Sequence, residues 1–384
     1  MGSNRIGFYE FFAGGGMARL GLGERWRCLM ANELSAKKAE TYIANHGLGP
    51  ELRVDDVANL TTSDLPHGAS LAWASFPCQD LSLAGWGRGL KGERSGTFWP
   101  FWRLMEGLAE EGRPCPVIVL ENVVGALSSR QGQDFQAICR AIARQGYRFG
   151  PMVVNAVHFL PQSRPRLYVV AVHAEAALPA GLVNDGPNPL WHPRQIIAAH
   201  ERLSPSLRGH WVWWAMPHPP AVEYDLWEII EAKATGQRWH SAKETAKLLE
   251  MMSPVNKAKL AKAQSAGRPV VGTVYRRTRR DEFNRRLQRA EVRFDQISGC
   301  LRTPAGGSSR QIIVVVDGKR VRSRLLSSRE AARLMGLPET YRLPARYNDA
   351  YNLVGDGLAV PVVSWLEEHL LYSFASQHLL TQAA

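Results

Sequence analysis

The chain predicts an α/β protein: a doubly wound, mostly parallel sheet with a second, smaller domain. Three observations carry this expectation. Short apolar runs alternate with amphipathic segments through roughly the first 175 residues. A glycine cluster, Gly14-Gly15-Gly16, sits where the first apolar run gives way to a helical pattern. Past about residue 180 the alternation yields to proline, tryptophan and charge, as in Asn184-Asp185-Gly186-Pro187 and Trp211-Val212-Trp213-Trp214.

Taken in order, Ile6 to Ala13 reads as a strand, followed by the glycine turn and a short helix. Cys28 to Asn32 is a second strand, and a helix runs from Ala36 to Asn45. Asp55-Asp56 falls at the expected end of a third strand, and Leu71-Ala72-Trp73-Ala74 is the next apolar run. Phe98, Phe101, Trp102, Met105 and Leu108 recur at helical spacing, which marks them as core rather than ligand contacts. Val117 to Leu120 is a buried strand and Asp134 to Tyr147 a helix. Val153 to Val157 and Leu167 to Val172 form two adjacent strands joined by a short loop bearing proline and arginine. Ser327 and Glu330 make a capping box that opens a helix stopped by Gly336 and Pro338. A last amphipathic helix carries Val360, Val363, Leu366 and Leu370. The expected domains are 1–180 with 345–384, and 181–344.

Composition narrows the function classes. At 384 residues and 45% hydrophobic content there is ample core for two domains. No apolar run reaches the eighteen or so residues that span a bilayer, and the N-terminus shows no secretory leader. Five cysteines at irregular spacings, with no CxxC, suggest neither a disulfide framework nor zinc, so a reducing cytoplasm is expected. The formal charge of +12 peaks around Arg276, Arg277, Arg279, Arg280, Arg285, Arg286, Arg289 and Arg293. Such a stretch reads either as a solvated face or as a phosphate contact. The overall basicity and the choice of Arg over Lys favour a polyanion partner.

Two rim motifs suggest the chemistry. In Ser75-Phe76-Pro77-Cys78-Gln79, a thiol follows a strand and is fixed behind a rigid proline, a placement for a nucleophile rather than for packing. Glu121-Asn122-Val123 closes the Val117–Leu120 run, so a carboxylate emerges at the same sheet edge; the plainer alternative for Glu121 is a helix N-cap. Ligands bind at the carboxyl ends of strands in such sheets. Phe12-Ala13-Gly14-Gly15-Gly16 followed by Glu33 at the end of the second strand fits a nucleoside-containing cofactor. There the glycines admit the ligand to the backbone and the acid takes ribose hydroxyls. Asp55-Asp56 either accepts from an adenine amino group or turns in solvent. The segment from Gly299 to Arg310, rich in small residues, reads as a DNA contact through Arg302, Thr303 and Arg310, or as a surface loop. Trp211, Trp213 and Trp214 are expected in the smaller domain's core in preference to stacking on DNA.

The ordered set Phe12-Ala13-Gly14, Glu33, Pro77-Cys78-Gln79, Glu121-Asn122-Val123, Gln162-Ser163-Arg164-Pro165-Arg166, the Arg329–Pro338 helix and Gly355-Asp356-Gly357 resembles the cytosine-5 DNA methyltransferases from end to end. The resemblance is to the bacterial restriction-modification type. It implies a Rossmann-like catalytic domain, S-adenosylmethionine as cofactor, double-stranded DNA as substrate and a target-recognition domain between the arginine loop and the Arg329 helix. It further implies a monomer on DNA, cytoplasmic and nucleoid-associated, alongside a separately acting restriction endonuclease. Catalytic roles carry over to Cys78, Glu121 and Arg166, with Arg164 supporting the loop. Cofactor contacts fall to Phe12, Gly14, Gly16, Glu33, Asp56, Pro77 and Asp356. DNA contacts include Gln79 and Ser82 besides Arg302, Thr303 and Arg310. The chain departs from the family pattern at Glu10, Ser75 and Asp356-Gly357, where Asp, Gly and Asn-Ser are usual. An RNA cytosine-5 methyltransferase and a non-catalytic DNA-binding relative are the alternatives; the long basic insertion argues against the first and Cys78 with Glu121 against the second.

Overall fold

The computed structural model describes residues 5–77, 96–179, 181–219, 221–231, 234, 236–280, 282–303 and 310–383. The chain forms two compact units: Met1–Asn155 with Pro165–His218 and Val362–Ala384, and Ala156–Arg164 with Pro219–Pro361.

The first unit is built on a seven-stranded sheet of order β3-β2-β1-β4-β5-β7-β6. In chain order its elements are β1 (Ile6–Phe11), α1 (Met17–Leu22), β2 (Trp26–Asn32), α2 (Ala36–His46), β3 (Leu52–Arg53), β4 (Ala69–Ala74), α3 (Phe98–Glu110), β5 (Val117–Val123), α4 (Gln133–Arg144), β6 (Tyr147–Asn155) and β7 (Pro165–His173). β1 and β4 are buried at every position, as central strands covered on both faces must be. Phe98, Phe101, Trp102, Met105 and Leu108 of α3 all enter the core, as their spacing predicts.

The sheet is not wholly parallel. β7 runs antiparallel to both β5 and β6. The connection Ala156–Arg164 is shorter than the dozen or so residues a parallel crossover requires, so the chain must turn straight back. The predicted Asp134–Tyr147 helix also ends early, at Arg144, because Gly146 takes a left-handed conformation at φ 75° and Tyr147 opens β6.

The divisions differ from the expected boundaries near 180 and 345. Residues 181–218, with β8 (Val183–Asn184), α5 (Arg194–Glu201), α6 (Pro205–Arg208) and β9 (Trp213–Trp214), belong to the first unit. The tryptophans expected in the smaller domain explain this. Trp211 meets Phe149 with ring centroids 5.8 Å apart, and the Trp214 indole donates to the Gly150 carbonyl at 3.0 Å. A Cβ on Gly150 would lie 2.3 Å from that indole nitrogen, so only glycine admits the contact. The C-terminal helix Tyr372–Ala383 packs on β1 and β4, and Glu367 accepts from the Trp26 indole at 2.8 Å.

The second unit contains α7 (Leu226–Ile229), α8 (Ala242–Glu250), α9 (Pro254–Gln264), β10 (Val270–Arg280), β11 (Arg286–Arg293), β12 (Ile312–Asp317), β13 (Arg320–Leu325), α10 (Ser328–Arg333) and α11 (Tyr347–Asp356). Its four strands form an antiparallel sheet of order β11-β10-β12-β13. One face, with Val274, Ala290, Val292 and Val314, packs against Leu248 and Met252 at α8 and Leu260 of α9. The predicted capping box of Ser327 and Glu330 is present. Glu330 also receives both Arg324 nitrogens, at 2.7 and 2.5 Å, in a bidentate pair with no solvent exposure. α11 belongs here, not with the first unit as expected: Tyr351 accepts from the Gln311 amide at 2.9 Å. No helix among the described residues is long and apolar enough to cross a membrane.

Candidate active site

The glycine turn and the acid after β2 meet. The Gly14 amide donates to Glu33 Oε2 at 2.8 Å, and the Ser35 amide donates to Glu33 Oε1 at 2.8 Å. Phe12, Gly14 and Gly16 all hold positive φ, at 59°, 58° and 76°, which curls the backbone at the strand end. A Cβ on Gly14 would meet nothing within 4 Å, so the backbone is open to a ligand on that side. Among the described residues each Glu33 oxygen has one N–H partner, which leaves a lone pair for a hydroxyl donor. The turn therefore fits a nucleoside-bearing cofactor in both its approach and its acceptor.

Two groups that sequence reasoning did not assign hold this turn from behind. Burial leaves Glu10 1% exposed and raises its pKa to about 8. Its Oε1 accepts from the Ala18 and Arg19 amides at 3.2 and 3.3 Å, while Oε2 has no partner among the described residues. His46, the last residue of α2, lies with Nε2 3.1 Å from the Gly16 carbonyl. A carbonyl only accepts, so Nε2 carries the proton. Burial lowers the His46 pKa to about 4, which keeps the ring neutral. The Asn-His-Gly end of α2 contained this residue, but only the folded chain shows what it touches.

At the ends of β4 and β5 a second constellation forms. Ala74, the last residue of β4, is in register with Leu120, so the chain leaves β4 beside the stretch of β5 that carries Glu121 and Asn122. The Asn122 amide donates to the Phe76 carbonyl at 3.3 Å, and Asn122 Oδ1 accepts from the Val123 amide at 2.8 Å. Asn122 thus ties the segment leading to Pro77 onto the strand that carries Glu121, a tie the motif hid because only Glu121 looked reactive. Pro77 is half-buried at the end of this segment. Cys78, Gln79 and Ser82 lie outside the described residues.

Glu121 is 7% exposed and faces Arg166, with Nε to Oε1 3.3 Å. The register explains the meeting. Glu121 is opposite Tyr168 and Val123 opposite Arg166, so Glu121 and Arg166 are diagonal neighbours on one face of the β5–β7 ladder. The N-cap alternative for Glu121 is excluded, since it lies inside the strand.

Arg164 does different work. It is 2% exposed, and its guanidinium donates to the carbonyls of Leu301 at 2.9 Å, Gly355 at 3.1 Å and Gly357 at 2.5 Å. Its guanidinium thus ties the backbone at Leu301 to that at Gly355 and Gly357.

The remaining assignments separate. Asp56 caps a short turn by accepting from the Ala58 amide at 2.9 Å, which is the solvated-turn alternative; its half-exposed carboxylate keeps acceptor capacity. Asp356 ends α11 and accepts from the Thr303 hydroxyl. Arg302 is exposed. Arg310 lies over the Tyr347 ring at 5.7 Å and donates to Asn348 Oδ1 at 2.5 Å. Aromatic stacking and a side-chain acceptor on α11 hold it where the sequence showed only an arginine in a loop. Cys28, Cys115 and Cys139 are buried free thiols, and burial raises all three pKa values, Cys28 to about 12.

Comparison with known proteins agrees with this geometry. The pattern of the family described as C-5 cytosine-specific DNA methylase matches residues 6–371. The chain is 23% identical over 373 residues to the type II methyltransferase M.MspI of Moraxella sp, covering 96% of this chain and 71% of that protein. It is 25% identical over 365 residues to the type II methyltransferase M.NlaX of Neisseria lactamica, covering 94% and 95%. Among solved structures, the S. pombe Dnmt2 methyltransferase superposes with a TM-score of 0.59 at 16% identity, over 94% of this chain and 97% of that one. That likeness speaks to the fold.

Proposed function

This chain belongs to the C-5 cytosine-specific DNA methylase family and is a DNA (cytosine-5-)-methyltransferase; from that premise we propose that it methylates a cytosine rotated out of duplex DNA, through a covalent bond from Cys78 to ring carbon C6. Cytosine C5 is a poor nucleophile and needs activation before it accepts a methyl group. Addition of the Cys78 thiolate to C6 makes C5 the electron-rich end of an enamine. Glu121 donates a proton or hydrogen bond at N3, where negative charge accumulates, and Arg166 holds O2 with its planar donor fork. After the C5–methyl bond forms, a base or ordered water takes the C5 proton, and the electron pair of that C–H bond forms the C5–C6 double bond and expels the thiolate from C6. Bound S-adenosylmethionine supplies the electrophilic methyl group.

The observation that carries this reading is the Glu121–Arg166 pair beside the Asn122–Phe76 tie. It sets an acid on the strand to which the segment entering Cys78 is bonded, and a cation beside it on the neighbouring strand β7. The cofactor's ribose is assigned to Glu33 and its passage along the backbone to Phe12, Gly14 and Gly16; the open turn at Gly14 supports this. Asp56, Pro77 and Asp356 are assigned as further cofactor contacts. Gln79, Ser82, Arg302, Thr303 and Arg310 are assigned to DNA. Base rotation is required because C6 is inaccessible inside the stack, and costs a few kcal/mol that phosphate contacts offset. The enzyme acts as a monomer within the cytoplasm, alongside a restriction endonuclease acting separately.

Bisulfite sequencing of DNA from cells expressing the protein, with methyl incorporation into matched DNA and RNA in vitro, tests the reading. The expected result is 5-methylcytosine in one sequence context of duplex DNA. Methylation of RNA alone would replace this reading with the RNA one.

A further inference from the structure

β10 and β11 pair over most of their length, from Thr273 opposite Arg293 to Arg280 opposite Arg286, whereas β12 pairs β10 only from Val270 to Val274. Residues 275–280 and 286–291 therefore project past the four-stranded sheet as a two-stranded ribbon. Alternation gives the ribbon two faces. One continues the core face of Val274, Ala290 and Val292 outward into Arg276, Arg280 and Arg286. The other carries Tyr275, Arg277, Arg279, Arg289 and Glu291.

The second face runs into another cationic segment. The Tyr275 hydroxyl donates to the Cys300 carbonyl at 2.5 Å, and its ring lies 2.3 Å from where a Gly299 Cβ would be. Both Arg302 and Arg277 act electrostatically on that hydroxyl. Glu291 answers two of the ribbon cations: its carboxylate is 3.3 Å from Arg277 Nε and 2.7 Å from Arg279 Nε. One carboxylate against Arg277, Arg279 and Arg289 leaves this face positive. Planar guanidinium forks on an exposed ribbon suit phosphate oxygens, and a groove of duplex DNA admits a two-stranded ribbon.

We propose that the Arg277–Arg279–Arg289 face is a phosphate-tracking arm for duplex DNA, and that Glu291 is its built-in competitor, limiting sequence-independent grip. The inference rests on the DNA reading above. Each phosphate contact releases counterions, so the arm contributes to affinity in a salt-dependent way. Glu291 offers the same guanidiniums an internal anion that DNA must displace.

The test is equilibrium binding of the full-length protein to a short duplex across a salt series, without cofactor, so that it is independent of methyl transfer. Replacing Arg277, Arg279 and Arg289 together by glutamine should reduce the slope of log K against log salt by about 2 to 3, near 0.9 per lost contact. The matching triple Arg276→Gln, Arg280→Gln, Arg286→Gln should leave the slope near wild type. Glu291→Gln should tighten binding at low salt several-fold. Equal slope changes from both triples, an unchanged slope in the first, or an unchanged or weakened affinity in Glu291→Gln overturns the proposal. So does a first triple that weakens binding to RNA hairpins and not to duplex DNA. A protein that binds duplex as expected yet methylates no DNA would sink the catalytic reading and leave the arm intact.

Discussion

The Glu121 carboxylate and the Arg166 guanidinium lie 3.3 Å apart as diagonal neighbours across the β5–β7 ladder. The antiparallel reversal of β7 creates this pair, since it returns the arginine of the short loop to the end of the strand that carries the acid. Glu121→Gln should lower kcat by about 10²- to 10⁴-fold, the range for loss of a positioned acid. Arg166→Lys should lower it by about 10²- to 10³-fold, as for one lost charge-stabilising donor. The double variant should lose less than the product, because the two act on one ring. Single-turnover methyl transfer measures all three.

Arg164 makes a separate prediction. With its guanidinium bonded to three carbonyls, Arg164→Met should destabilise the second unit by about 3 kcal/mol, the scale of buried acceptors left unsatisfied. Arg164→Lys should recover only part, since an ammonium lacks the planar fork. Denaturant melts read the loss. An unchanged midpoint in Arg164→Met would remove the positioning role.

Glu10 makes stability depend on pH. Its pKa rises from 4.5 to about 8 on burial, so the folded state binds more protons than the unfolded state between those values. Stability should be greatest below pH 4.5 from this group alone and fall as pH rises toward 8, by a few kcal/mol in total at roughly 1.4 kcal/mol per unit. Glu10→Gln keeps the acceptor for the Ala18 and Arg19 amides and should abolish that slope. Melting temperatures of the pair of proteins from pH 5 to 8 decide it.

His46 acts with the opposite sign. Its pKa falls from 6.5 to about 4 on burial, so stability should be lost as pH drops through that window. At neutral pH, His46→Phe removes the bond to the Gly16 carbonyl. It should weaken S-adenosylmethionine binding by about five- to tenfold, equivalent to roughly 1 kcal/mol for a lost hydrogen bond. His46→Gln should restore much of the affinity. Calorimetric titration with the cofactor separates the variants.

How much of this was legible in the sequence depends on the reach of the interaction. Gly14 and Glu33 were readable together because a strand–turn–helix–strand unit sets the ends of β1 and β2 side by side. Glu121 was readable from its position after an apolar run, and the residues of α3 from helical spacing. The partners of Arg310 were not legible, because Tyr347 and Asn348 lie 37 and 38 positions further on and no periodicity connects them. The end of the first unit was placed too early because Trp211 and Trp214 look like punctuation in sequence and become core only against Phe149 and Gly150. Asn122 and His46 escaped notice for a related reason: each acts on a backbone carbonyl, which has no signature in the sequence.

The most direct measurement uses DNA with 5-fluorocytosine in place of cytosine, where fluorine at C5 cannot leave as a proton and the enzyme stays bound. After incubation with S-adenosylmethionine, digestion and mass spectrometry should yield one DNA-linked peptide, containing Cys78 and bonded to a methylated fluorocytosine. Cys78→Ser should yield none. Methyl transfer without an adduct, or an adduct on Cys28, Cys115, Cys139 or Cys300, would contradict the account.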